Sequence, residues 1–415
     1  MTDNVMSRTT VEESVVVKGA KKTVLALQHL IAMFGATVLV PILTGFNPSI
    51  ALFTAGMGTL IFHACSKGKV PAFLGSSFAF IPVILTVKDM YNGDLAYAQG
   101  GIFVAGLIYV ILALFIKKIG VARIRKLLPA SIVGPMIIVI GMSLIPTAYG
   151  MASENFLLAG VTLGTALLIS FKAKGFLKQL SILIAVLVGY VVALALNLVN
   201  TEVITQSQLV AIPEFTLPKF DLGAIAITAP VVLAVFMEHL GDITTNGQVV
   251  GKNFIEDPGL NRTLLGDGLA TMFAALVGGP ANTTYGENTG VLAITKNYDP
   301  ANLRLAAIFA VALGFVAKIG GVLASIPNGV MGGISLILFS MIALIGVKTI
   351  KHEKVEFNFK NILVMATILI IGLGGFGIQI NESVSLSGLS FAAIVGITLN
   401  LVLGYIEKHV KKESN

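Results

Sequence analysis

Apolar residues run through this chain in long stretches, separated by short polar or charged ones. Windows of about 20 residues are long enough to cross a bilayer core as a helix. Such windows fall at 23–43, 49–65, 72–87, 98–117, 129–148, 156–171, 180–200, 222–245, 264–279, 281–295, 303–325, 329–347, 361–380 and 386–406. The pattern predicts an all-α polytopic membrane protein of fourteen segments. The third and tenth differ from the rest. Each is short and opens on a polar, Gly-containing stretch, Gly75-Ser76-Ser77-Phe78 and Asn282 through Gly290. Non-helical backbone at membrane depth survives only where protein covers it or where it lines a wet cavity. These two segments are predicted to be broken at a site.

Composition supports the class. The chain is 55% hydrophobic and 12% charged, with a mean hydropathy of +0.90; soluble domains carry about twice that charge fraction. A single cysteine, Cys65, excludes an intramolecular disulfide. The first 22 residues are polar, without an apolar run of the signal-peptide kind, and read as a cytoplasmic tail. An even segment count returns the carboxyl terminus to the same side. With that orientation, all but Lys88, Lys219 and Lys318 of the 28 basic residues fall in inward stretches, among them Arg8, Arg123, Arg125 and Lys126. Inward loops are expected to be rich in Lys and Arg. The net charge of +7 is thus a topology signal, and nucleic acid is not an expected partner.

The two halves echo each other. Gln28-His29-Leu30 opens the first segment and Glu238-His239-Leu240 lies in the eighth; Ser77 and Glu287 hold matching places in the third and tenth. Pro129-Ala130-Ser131-Ile132-Val133-Gly134 opens segment five, and Pro327-Asn328-Gly329-Val330-Met331-Gly332 opens segment twelve. An offset of seven segments inverts the second half relative to the first. Inverted repeats are a transporter architecture, with the site where broken segments meet near the midplane.

The candidate chemistry is acidic. A carboxylate at membrane depth costs about 2.5–3.5 kcal/mol on insertion scales, so Glu287 and Glu238 are functional candidates. Asp242 stands four residues after Glu238 and shares its helix face. Either the two acids share a proton, or Asp242 sits at a helix end among the headgroups. His239 points elsewhere and suits a structural hydrogen bond; His29 is placed to brace the site. Asp267 in segment nine has no assignable partner. Tyr285, Phe78 and Phe339 could supply flat walls for a planar ring, and the backbone N–H groups at a half-helix start are free to donate. No His/Cys/Asp spacing resembles a zinc or haem site, so no metal or cofactor is expected.

Asn282-Thr283-Thr284-Tyr285-Gly286-Glu287-Asn288-Thr289-Gly290 and the residues through Lys296 resemble the signature of the nucleobase–ascorbate transporter family. Gln28-His29-Leu30 through Pro41, Pro71 through Phe80, Glu238 through Gly241 and Asp257 through Leu260 resemble its bacterial uracil permease branch. The resemblance runs from about residue 23 to 406. It implies two inverted sevens, with short antiparallel strands in segments 3 and 10. It implies a core domain (23–127 and 222–326) that moves elevator-like against a gate domain (128–221 and 327–406), between cytoplasmic tails at 1–22 and 407–415. It further implies a homodimer in the lipid of the inner (plasma) membrane that imports uracil with a proton. Glu238 and Glu287 would hold the base, with backbone of Phe78 and Gly286 at its edge, Ser77 beside them, and Ala36, Phe78 and Tyr285 against the ring. Asn288 would brace the site. Two positions depart from the uracil permease pattern: Phe339 replaces a tyrosine, and Asp242 replaces a histidine linked to proton coupling. Asp242 and Glu238 are expected to share the proton instead.

A glutamate at the head of the signature resembles uracil carriers, whereas glutamine there resembles xanthine and urate carriers, the alternative substrates. An ion channel would need a continuous lined pore. An anion exchanger would favour cations, not Glu238 and Glu287, beside the half helices. An enzyme would need a nucleophile–base pair or a metal set, and none of the corresponding motifs accompanies the acids.

Overall fold

The structure, a computed structural model, describes residues 15–120, 129–379 and 385–413. Arg8, Arg123, Arg125, Lys126, the first part of the amino-terminal tail and the expected boundary at 127/128 lie outside these residues.

The chain opens with α1 (Val15–Thr44) and α2 (Pro48–Cys65). Strand β1 (Leu74–Ser76) follows, then a single 3-10 turn (Phe78–Phe80), α3 (Ile81–Met90) and α4 (Leu95–Ile119). Next come α5 (Ala130–Ser143), α6 (Ile145–Ser153), α7 (Phe156–Lys172), the short α8 (Phe176–Gln179), α9 (Ser181–Ala195) and α10 (Thr201–Gln206). Then follow α11 (Leu222–Thr228), α12 (Val231–Val250), α13 (Leu260–Leu276), β2 (Asn282–Thr284) and α14 (Gly286–Thr295). The chain continues through α15 (Pro300–Gly314), α16 (Ala317–Ala324), α17 (Asn328–His352), α18 (Phe359–Leu373), β3 (Gly377–Gln379), β4 (Ser385–Ser387) and α19 (Gly388–Glu413).

Short polar stretches between the apolar runs start the helices. Asn47 accepts a hydrogen bond from the Ser49 N–H at 2.8 Å, with Pro48 at the first helical position. Asp94, Asn155, Asp221 and Asp299 cap α4, α7, α11 and α15 in the same way. Each fills donor groups that a helix start leaves unpaired.

Among the described residues, seven helices or helix pairs are long and apolar enough to cross a membrane: α1, α2, α4, α5 with α6, α11 with α12, α17 and α19. A further pair, α15 with α16, bends by 77°. The segment read at 303–325 is therefore sharply bent, whereas those read at 129–148 and 222–245 each run through two successive helices that together make one span. Pro146 and Pro230 stand at two of the breaks, where a ring without an N–H cannot continue the hydrogen-bond ladder. The segment read at 361–380 ends early, at Leu373, and passes through Gly374 and Gly375 into β3, which pairs antiparallel with β4, a pairing the apolar pattern did not announce.

Two groups of helices carry most of the packing. In one, α13 lies against α4 and α2, and α15 against α2 and α1; in the other, α17 lies against α5, α6 and α7, and α18 against α5 and α19. Small residues set the closest approaches. A Cβ on Gly56 of α2 would stand 2.4 Å from the Ala307 carbonyl of α15, and one on Gly332 of α17 would stand 2.2 Å from the Ala152 nitrogen of α6. Gly160 and Gly164, a helix-packing pattern by spacing, have nothing within 4 Å.

Loop ion pairs tie the ends of the first group. Lys69 reaches Asp257 at 2.5 Å, and Lys219 reaches Asp94 at 2.7 Å. The hydrogen bond from each lysine holds its carboxylate below the usual range. Tyr91 donates to Asp221; desolvation first, then this bond, pushes the Tyr91 hydroxyl up to about 12.

Candidate functional site

The two polar stretches meet as a miniature sheet inside the helical body. Strands β1 and β2 pair antiparallel, with Leu74 opposite Thr284, Gly75 opposite Thr283 and Ser76 opposite Asn282. The ladder extends past both ends: Tyr285 N–H donates to the Phe73 carbonyl at 2.9 Å, and Ser77 N–H donates to the Ala281 carbonyl at 2.8 Å. Pairing inside the protein answers the backbone groups that lipid could not. Each strand then leads into a helix start, the 3-10 turn at Phe78 or α14 at Gly286.

Side chains fix this sheet from three sides. Thr59 accepts from the Leu74 N–H at 2.9 Å, Thr271 donates to the Asn282 carbonyl at 3.0 Å, and Asn282 donates to the Thr54 carbonyl at 3.0 Å. The Tyr285 hydroxyl donates to the Ser76 carbonyl at 2.9 Å. Its ring lies over Gly75, where a Cβ would stand 2.4 Å from the ring. Only glycine leaves room for that ring.

A cavity of about 340 Å³ lies beside the sheet. Glu238 and Asp242 enter it from α12, Tyr285, Gly286 and Glu287 from the start of α14, and Phe78 from the 3-10 turn. Thr283 and Thr284 close the sheet side; Ile137, Ile140 and residues of α17 close the other, with Gln179 of α8. All three acids are half-buried. Thr284 donates to Asp242 Oδ2 at 3.0 Å. Asp242 therefore faces the cavity one turn from Glu238. Neither Glu238 nor Glu287 has an ion-pair partner among the described residues. Their oxygens are free to accept from a ligand, and Glu287 stands in the first turn of α14, where a helix favours negative charge.

Five residues expected at the site stand behind the cavity wall. Asn288 donates to the His29 carbonyl at 3.0 Å and lies 3.2 Å from His29 Nδ1. This contact ties α14 to α1. Ala36 packs in the same apolar cluster as Tyr285 and Phe78. Ser77 is buried, with its hydroxyl unpartnered. Phe339 does not line the cavity. It is 1% exposed, and α17 presents Leu338, Met341, Ile342 and Ile345 instead. The helix turns by about 100° per residue, so the neighbour at 338, not 339, faces inward.

Two features went unforeseen. Asp267 has a partner: its Oδ2 lies 2.8 Å from His239 Nδ1, both side chains being wholly buried. The contact lacks the alignment of a hydrogen bond. His239 Nε2 also lies 3.0 Å from Thr263 Oγ1, which accords with a structural role for this histidine. Gln179 was missed altogether, because Lys174 through Gln179 reads as an ordinary loop edge.

Comparison with known proteins places the chain. A family model described as "Permease family" matches residues 20–380. The chain belongs to this permease family, the nucleobase–ascorbate transporters. The uracil permease of Bacillus caldolyticus is 44% identical over 395 residues, covering 91% of this chain and 91% of that protein. The uracil permease of Bacillus subtilis is 42% identical over 399 residues, with the same coverage of each. Members of this kind are transporters, not enzymes, and this chain is a multi-pass membrane protein. Its fold is shared with the transmembrane domain of a cyanobacterial bicarbonate transporter, BicA, at a TM-score of 0.65 and 16% identity, covering 92% of this chain and 96% of that one.

Proposed function

We propose that this permease carries uracil across the cell membrane together with a proton, by alternating access. The observation that carries this reading is the cavity between two helix starts, entered by Glu238, Asp242 and Glu287, none of which has an ion-pair partner among the described residues. Uracil offers two N–H donors and two carbonyl acceptors. Carboxylates can only accept when ionised, and backbone N–H groups can only donate. Glu238 and Glu287 thus suit the donors of the base, and the N–H groups at Gly286 and Phe78 suit its carbonyls. Tyr285 spends its hydroxyl on Ser76, so it offers the base a ring face, as Phe78 does. Ala36 and Phe339 support those rings from behind, Ser77 lies beside the Phe78 turn, and Asn288 with His29 anchors α14.

Uracil is favoured over xanthine or urate by Glu287 and by the names of the relatives. Anion transport, named for some proteins that share the fold, is disfavoured because the cavity is lined by acids and by no Lys or Arg among the described residues. Each broken segment, counted as one crossing, makes fourteen crossings in two inverted sevens. The core comprises residues 23–127 and 222–326; the gate comprises residues 128–221 and 327–406. The division follows the two helix groups, which pack more within themselves than across. Elevator motion of the core, a homodimer and cytoplasmic termini complete the proposal. Asp242, hydrogen-bonded to Thr284 and one turn from Glu238, is the residue we assign to share the proton.

Competition uptake tests the reading. Cells without their own carriers would express the chain and receive labelled uracil with excess unlabelled bases at two pH values. Uracil should compete and acid pH should raise accumulation. Strong competition by xanthine, with none by excess uracil, would overturn the substrate; equal accumulation at both pH values would overturn the proton.

A further inference from the structure

The cavity wall on the side of α5, α8 and α17 is apolar except for one side chain, Gln179 at the end of α8. That amide reaches across to α14. A Cβ built on Gly290 would stand 2.5 Å from Gln179 Nε2, 2.6 Å from Cδ and 2.7 Å from Oε1. The whole amide plane therefore rests on the bare Cα of Gly290. Gly290 is three residues beyond Glu287, on the neighbouring face of the same short helix. In the proposed division this is a contact between gate and core, made one turn from a proposed ligand carboxylate.

Gly290 lies within a helix, without the positive φ that would call for glycine on conformational grounds. Glycine in a helix interior costs about 0.5–1 kcal/mol relative to alanine. What the missing Cβ provides here is room for the amide. We propose that Gln179 and Gly290 form a latch between gate and core. The amide holds the cavity in the arrangement seen here and must leave Gly290 whenever the core moves. The proposal rests on the transport reading above and adds the residue pair that sets how readily the two bodies separate. Gln179 is a positioning residue in this scheme.

Gly290→Ala puts a methyl where the amide rests, so the flexible Gln179 side chain must swing off Gly290, which disfavours this arrangement. Maximal uracil uptake, corrected for the amount of protein in the membrane, should fall about tenfold, with KM moving less than about threefold. Gln179→Ala removes the amide without a collision. The double variant Gln179→Ala/Gly290→Ala should recover to within about threefold of Gln179→Ala alone, because the methyl then meets open space. A double variant as impaired as Gly290→Ala would overturn the latch, as would an unchanged corrected maximal rate in Gly290→Ala. A wild-type chain that takes up no uracil defeats the transport reading instead. The contact is then read on the Tm of the purified protein: Gly290→Ala should lower it and the added Gln179→Ala should restore it, and failure of that restoration overturns the latch.

Discussion

The segments that carry β1 and β2 share a plan and differ in chemistry. Both run through a three-residue strand, and both turn into a helix start beside the same cavity. The first offers an aromatic ring at Phe78 and a buried hydroxyl at Ser77. The second offers Tyr285, Gly286 and a carboxylate at Glu287. The starts differ as well. A 3-10 turn intervenes before α3, and Pro82 in its first turn has no N–H to give. Helix α14 begins directly at Gly286, with Glu287 in its first turn. Two segments of like plan thus set two helix starts beside one cavity, while the acid proposed to read a ligand comes from only one of them.

If this asymmetry governs recognition, substitutions in the second segment should outweigh those in the first. Glu287→Gln should lower uracil uptake efficiency on the order of 100-fold, the loss of a charge-assisted hydrogen bond of about 1.5–3 kcal/mol. The same variant should gain competition by xanthine. Ser77→Ala should cost less than about threefold, and an effect equal to that of Glu287→Gln would place recognition on both segments. Gly75→Ala tests the scaffold they share. Its methyl would strike the Tyr285 ring, and overpacking of this kind costs about 1–3 kcal/mol. A fall in both Tm and uptake is expected. Asp242→Asn probes the remaining acids: uracil binding should persist while pH-driven accumulation is lost, read as uptake at two pH values. Accumulation that stayed pH-driven would remove Asp242 from proton coupling.

The smallest effect lies at the surface. Asp257 titrates below its ordinary range because Lys69 donates to it. A depressed carboxyl contributes stability above its unfolded pKa of about 3.9 and loses it as pH falls through the lower folded value. The pair is exposed and screened, so Lys69→Ala should change Tm only slightly near neutral pH, and the difference from wild type should vanish in strong acid.

Much of this was readable before any coordinates. The apolar runs located the helices, and the polar interruptions at Gly75 and Asn282 located the broken segments that meet at the cavity; their strands came from the family resemblance. Glu238, Asp242 and Glu287 stood out because ionisable groups are rare at membrane depth. Other features depend on packing that no local pattern encodes. Whether Leu338 or Phe339 faces the cavity is a matter of one residue's rotation on α17, and both are apolar. Asp267 found its partner only because α12 and α13 pack side by side. Gln179 lies in a stretch like any charged loop, and its part emerges only where Gly290 comes to meet it. The helix breaks near Pro146 and Pro230 carried a sequence mark, whereas the 77° turn between α15 and α16 did not.

The pairing of β1 with β2 also governs the order of assembly. Leu74 and Thr284 are distant in the chain, so during synthesis the first strand exists long before its mate. Until the second emerges, Leu74 through Ser76 hold an unpaired edge, open to any strand that comes by. The cavity beside the sheet is therefore among the last parts of the molecule to close, and a polypeptide cut short before residue 282 would carry most of its helices yet lack the second strand of that sheet.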